Sequence, residues 1–182
     1  PVSSFGPDAD ARYEAIHEVD ISRLEPQIAC PHNPGNSRPV SEIGEVRVDQ
    51  AFLGSCTNAR VEDLAVAAEI LEGRKVHPGT RLLVTPASSQ VLLDATRAGD
   101  TQTLLEAGAH LTTPGCGACP GGHAGLVAPG EVCLSTTNRN FRGRMGSAEA
   151  EVYLGSPASV AAAAVAGRIV DPREFWKRTT IG

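Results

Sequence analysis

The stretch Val46-Arg-Val-Asp-Gln-Ala-Phe-Leu-Gly-Ser-Cys-Thr-Asn-Ala-Arg60, running into Val61-Glu-Asp-Leu-Ala-Val-Ala-Ala-Glu-Ile-Leu71, decides the fold. Val46 to Leu53 reads as a strand and Gly54 to Arg60 as the loop that leaves it. Val61, Leu64, Ala65, Ala68 and Leu71 then fall on one helical face, with Glu62 and Asp63 in the first turn to suit the dipole and Gly73 as a stop. Strand, loop and helix make one βα unit, and the alternation recurs outward from it. Arg81 to Thr85 reads as a strand, Ser88 to Ala98 and Thr101 to Ala107 as helices, and His110 to Thr113, Glu131 to Ser135 and Glu151 to Leu154 as strands. The last leads into Ser156 as N-cap, Pro157 at the first helical position, an alanine run and Gly167 as C-cap. This pattern predicts an α/β domain with a three-layer, parallel-sheet architecture.

Upstream, residues 1–45 are less regular: a short helix is expected from about Asp8 to Ile16, an extended piece at Glu18 to Ile21, and a Pro/Asn/Gly stretch from Pro31 to Pro39. Residues 46–170 form the βα core and 171–182 a tail, which Phe175 and Trp176 would pin down. The 182 residues are read as one unit, since 41% apolar content is enough for a full-sized core. Sixteen basic residues against 21 acidic ones give a net charge of -5, with no basic run, so neither nucleic acid nor a membrane surface is an expected partner. The apolar stretch Ala158 to Gly167 is far short of the roughly 20 residues that span a bilayer. No signal-peptide pattern opens the sequence, and the expected location is the cytoplasm, where an odd set of five cysteines points to metal or redox use.

Three of those cysteines lie in glycine-rich packets, Gly54-Ser-Cys-Thr-Asn-Ala-Arg60 and Gly115-Cys-Gly-Ala-Cys-Pro-Gly121. Cys56, Cys116 and Cys119 could hold an iron–sulfur cluster by three corners, because thiolates are its usual ligands and small neighbours let the backbone approach. A structural zinc ion would need a fourth ligand, Cys133 or His123. A Cys116–Cys119 dithiol is the third reading, although Pro120, Gly121 and Gly122 interrupt the helix start such pairs use. An anionic cluster with an anionic substrate needs positive charge, and Ser135-Thr-Thr-Asn-Arg-Asn-Phe-Arg-Gly-Arg-Met-Gly146 carries Arg139 and Arg144, whose guanidinium forks suit carboxylates. The loops with Cys56, with Cys116 and Cys119, and with Arg139 and Arg144 each follow the carboxyl end of a predicted parallel strand, the edge where open α/β sheets bind ligands.

Together with Pro114-Gly-Cys-Gly-Ala-Cys119, Glu151-Val-Tyr-Leu-Gly-Ser-Pro157 and Gly167-Arg-Ile-Val-Asp-Pro172, these stretches resemble the aconitase superfamily, and within it the large-subunit branch of isopropylmalate isomerase and homoaconitase. The resemblance runs from about residue 8 to 175, and the part it matches is the third, cluster-binding domain. It implies that Cys56, Cys116 and Cys119 ligate a [4Fe-4S] cluster, that Asn138 sits beside it, and that Arg139 and Arg144 hold substrate carboxylates. It further implies a hydro-lyase reaction, loss and re-addition of water on a hydroxy di- or tricarboxylate, of the kind used in amino-acid biosynthesis. Members have further α/β domains and a swivelling domain, often a small subunit, so the base is expected outside this chain and activity is expected to need those partners. The chain departs from the usual Cys-Leu-Gly at Cys119-Pro-Gly121, which alters the turn more than the ligation. An iron–sulfur sensor and a thiol oxidoreductase remain as alternatives. Cys30 and Cys133 are expected as core residues, His123 in a packing or capping role, and His32 and His77 in surface loops.

Overall fold

The structure, a computed structural model, describes residues 6–176. Seven strands, β1 (Gln27–Ala29), β2 (Ser37–Pro39), β3 (Gln50–Gly54), β4 (Arg81–Thr85), β5 (His110–Leu111), β6 (Val132–Ser135) and β7 (Glu151–Leu154), form one sheet in the order β2-β1-β7-β6-β3-β4-β5. β3 to β7 run parallel to one another, whereas β1 is antiparallel to both β7 and β2. The helices are α1 (Val61–Leu71), α2 (Ser89–Ala98), α3 (Asp100–Ala107) and α4 (Pro157–Ala166).

Alternating side chains of the strands divide the core in two. Ala51, Leu53, Leu82, Val84 and Leu134 point to the face where α1 packs against α2, α3 and α4. Ala161, Ala162, Ala163 and Ala164 are buried and lack long side chains, so α4 lies close on β3 and β6. Phe52, Leu83, Cys133 and Val152 point to the other face, where they meet Ala118, Cys119, Val127, Met145 and Ala150. The third layer is therefore built from the irregular connections β5–β6 and β6–β7.

That division positions the site. The chain leaving β3 turns to the helical face, while the chain leaving its neighbour β6 turns to the opposite face, so the two connections diverge at the carboxyl ends of the two strands. Such a switch point is where parallel sheets take ligands.

The N-terminal expectations need correction. No helix forms over residues 8–16 and no strand over 18–21. Tyr13, Ile16, Val19, Ile21 and Leu24 are all exposed, so a helix or strand there has nothing to pack on, and a short isolated helix is marginal in water. Instead β1 and β2 form a hairpin, and the Pro31 to Pro39 stretch contains β2. β3 starts at Gln50, four residues later than expected, because Val48 N–H pairs with the Gly167 carbonyl and Arg47 bridges Arg168, outside the main ladder. Phe175 is half-buried against the helical core with the Arg74 guanidinium 5.7 Å from its ring centre, but Trp176 is 41% exposed. The remainder of the expected tail, 177–182, lies outside the described residues. No helix among the described residues is long and apolar enough to cross a membrane.

Candidate functional site

The three packets are built by unusual backbone at the ends of β3, β5 and β6. Gly54 has φ of +146°, and a Cβ there would stand 2.3 Å from the Thr85 carbonyl oxygen, so β3 and β4 can close up only at glycine. Ser55 and Ala59 then adopt φ of +77° and +57° on either side of Cys56. Side chains with a Cβ rarely take that conformation, and such strain gathers at functional loops. Ser55 Oγ and Thr57 Oγ1 share a hydrogen bond of 2.9 Å, and Ser135 Oγ and Thr137 Oγ1 share the same bond, also 2.9 Å, at the end of β6. The two strand ends are thus finished by one Ser-x-Thr-Asn device.

Cross-links fix the loops to each other. Gly54 N–H donates to Thr136 Oγ1 at 2.9 Å, and Thr136 N–H donates to the Phe52 carbonyl at 3.0 Å. Thr85 and Thr112 share a 2.7 Å hydroxyl bond, and Gly117 packs so tightly on Thr85 that a Cβ would meet its Oγ1 at 2.4 Å. Gly121 lies against the arginine loop, its missing Cβ only 2.9 Å from the Arg144 carbonyl oxygen and 3.0 Å from Gly146 N. The cysteine loop and the arginine loop are therefore in backbone contact.

Cys56 and Cys116 are exposed, whereas Cys119 is only 6% exposed and accepts a hydrogen bond from Arg144 Nη2 at 3.2 Å. Arg144 lies 5.6 Å from the Phe141 ring centre, a cation–π distance, and its Nε is buried without a partner. Asn58 Oδ1, two residues from Cys56, and Asn140 Oδ1, within the arginine loop, are likewise buried without a partner. Buried polar atoms are almost always paired, so three such atoms in the loops after β3 and β6 leave this edge with unused polar capacity. Arg139 and Asn138 are exposed, with Arg139 Nη1 donating to the Asn138 carbonyl at 2.7 Å. The structure thus joins Cys119 to Arg144 and leaves Cys56, Cys116, Asn138 and Arg139 open on the same edge.

The donor set decides which group these residues fit. Among the described residues no three His, Cys, Asp or Glu side chains converge on a point where one ion could sit. The fourth ligands a zinc site would need are elsewhere: Cys133 is buried within β6 beneath Gln50, and His123 is exposed, contrary to its expected packing role. Burial pushes the Cys133 thiol up to about 12, which keeps it protonated and inert. No helix follows Cys116 and Cys119, so the dithiol reading lacks the dipole it depends on. Three thiols on two loops of one sheet edge, with a cation at one sulfur, are of the donor type that a polynuclear iron–sulfur cluster takes.

Cys30, expected in the core, is half-buried at the end of β1, and His32 beside it is half-buried as well. His77 is exposed as expected, though its ring abuts Gly167. Asn140 was not singled out by the sequence pattern. It is fully buried, and its Nδ2 donates to the carbonyls of Cys30 at 2.9 Å and Val152 at 3.1 Å, anchoring the arginine loop to β1 and β7. The Asn-Arg-Asn repeat was its one visible signal.

The fold and this edge define an α/β domain that presents thiols and guanidinium groups at the switch point of a mostly parallel sheet. The chain belongs to the aconitase family: the model of that family (aconitate hydratase) matches residues 41–167. It is 58% identical over 169 residues to a homoaconitase large subunit of Thermus thermophilus, covering 93% of this chain and 40% of the relative. It is 55% identical over 170 residues to a 3-isopropylmalate dehydratase large subunit of Moorella thermoacetica, covering 93% and 40%. A 3-isopropylmalate dehydratase large subunit of Methanopyrus kandleri is 54% identical over 169 residues, again at 93% and 40%. The chain spans about two fifths of the length of these curated relatives.

Proposed function

We propose that this chain is the cluster-bearing part of a hydro-lyase of the isopropylmalate dehydratase and homoaconitase type, acting on a hydroxy di- or tricarboxylate in the cytoplasm. The observation that carries the reading is the bond between Arg144 and Cys119, a guanidinium of the kind that suits carboxylates beside a thiol of the kind that suits clusters, at the switch point of the sheet. Cys56, Cys116 and Cys119 would hold the cluster. A bound [4Fe-4S] cluster supplies a Lewis acid at the one iron that three thiolates leave free. Arg139, exposed and anchored only through the Asn138 carbonyl, takes one substrate carboxylate, and Arg144 faces a second. Asn138 lines the same edge and orients the substrate between them. The rigid Ser-x-Thr-Asn turns hold these groups in place before substrate arrives. The proton is taken by a group outside this chain, on the remaining large-subunit domains or a small swivelling subunit.

The test is turnover in the assembled complex. The chain is combined anaerobically with the remaining large-subunit segments and the small subunit of a relative, and reversible dehydration of isopropylmalate and homocitrate is followed. Turnover that vanishes in Cys116→Ser is expected. Arg139→Met is expected to raise KM by about tenfold or more, from loss of a charge-assisted contact of roughly 1.5–3 kcal/mol. A loaded, fully assembled complex that turns over neither substrate class would overturn the reading.

A further inference from the structure

Arg144 is held in a way that binding a substrate carboxylate does not require. Its Nη2 donates to Cys119 Sγ at 3.2 Å, its Nε is buried and unpartnered, and Phe141 lies 5.6 Å from the guanidinium. Its backbone is clamped as well, since Arg144 N–H donates to the Phe141 carbonyl at 3.0 Å and Gly121 packs on its carbonyl. Arg139, five residues earlier, has the same charge but is exposed and donates to a backbone carbonyl instead. One arginine of the loop is exposed to ligand, and the other spends its Nη2 donor on sulfur.

We infer that Arg144 is a positioning residue for the Cys119 corner of the cluster, donating a charge-assisted hydrogen bond to the ligating sulfur and thereby raising the cluster's reduction potential. The inference rests on the reading above that these cysteines hold the cluster. A reduced cluster carries one more negative charge than an oxidised one, so a cationic donor on a ligand sulfur stabilises the reduced form more. Partners around metal ligands also hold those ligands in place, and their loss weakens metal retention by about 10- to 100-fold. The surroundings of Cys119 favour this effect: the sulfur is buried, so the bond is little screened, whereas the exposed Arg139 acts through solvent.

The test compares the anaerobically reconstituted chain with Arg144→Met and Arg139→Met, each of which removes one positive charge and leaves an unbranched apolar side chain. Midpoint potential is read by spectroelectrochemistry, and cluster loss to a ferrous chelator by visible absorption. Arg144→Met is expected to have a lower potential than Arg139→Met and to lose its cluster about 10-fold faster or more. Equal potentials and equal loss rates in the two variants would overturn the inference. Should Arg144→Met not load, Arg144→Lys carries the comparison, since it keeps the charge without the fork: a potential below wild type supports the bond, and one equal to wild type overturns it. Failure of the wild type itself to take up a cluster would instead overturn the reading on which the inference rests.

Discussion

Gly121→Ala tests whether the cysteine and arginine loops are built as one unit. Gly121 has φ of +68°, a conformation that costs a residue with a Cβ roughly 1–2 kcal/mol. The added Cβ would also stand 2.9 Å from the Arg144 carbonyl oxygen and 3.0 Å from Gly146 N. Both are backbone atoms that can yield only by moving the loop, and overpacking of this kind costs roughly 1–3 kcal/mol. A loss of roughly 2–4 kcal/mol is expected, and with an m-value of about 2 kcal/mol per molar urea the midpoint falls by about 1–2 M. Gly122, the next residue, has nothing within 4 Å of a built Cβ and is not left-handed, so Gly122→Ala is expected within about 0.5 kcal/mol of wild type. Because Gly121 separates the loops that carry Cys119 and Arg144, Gly121→Ala is also expected to slow iron uptake where Gly122→Ala does not. Equal urea midpoints for the two variants would refute the contact.

Two other outcomes follow from charge and burial. The Arg81 guanidinium donates two 2.8 Å bonds to Glu131 and holds its carboxyl below the ordinary 4.5, so this stability is present above pH 4.5 and is lost as pH falls through the lowered value. Glu131→Gln is expected to cost about 1 kcal/mol at neutral pH, the modest figure suiting a pair whose arginine is half exposed, and that gap should close in acid; urea titrations at neutral and low pH check it. Iodoacetamide is expected to label Cys56 and Cys116 readily and leave Cys133 unmodified until unfolding, because Cys133 is fully buried and its thiol is pushed up to about 12; peptide mapping reads the result.

What the sequence disclosed was what local chemistry encodes. β4 and β7 match their expected bounds because apolar runs there are closed by clear turn residues. α4 runs from its Ser156 cap, whose side chain accepts from Ser159 N–H, to Gly167 at φ of +73°. The hairpin β1–β2 was missed because three-residue strands carry no period, and only the Asn33 to Asn36 turn hinted at it. The antiparallel edge follows from the tertiary pairing of β1 with β7, which no local pattern announces.

At the site, the residue types were legible and their mutual placement was not. Glycine-flanked cysteines and an Asn-Arg-Asn loop could be read directly, and each follows a strand as expected. The contact between Arg144 and Cys119 joins residues 25 apart through the pairing of two irregular loops, so it emerges only from the fold. The same holds for Asn140, whose anchor at Cys30 lies 110 residues away. His123 lay close to Cys119 in sequence, yet the turns after Cys119 carry it out to solvent.

The central claim, that Cys56, Cys116 and Cys119 together hold a [4Fe-4S] cluster, is tested most directly by anaerobic reconstitution of the wild type and Cys56→Ser, with iron and sulfide counted per chain and visible absorption and electron paramagnetic resonance recorded. The account predicts about four irons and four sulfides per wild-type chain, and a sharp loss in the variant. A wild type that takes up no iron, or that binds a single zinc ion with the same three cysteines free to label, would contradict it.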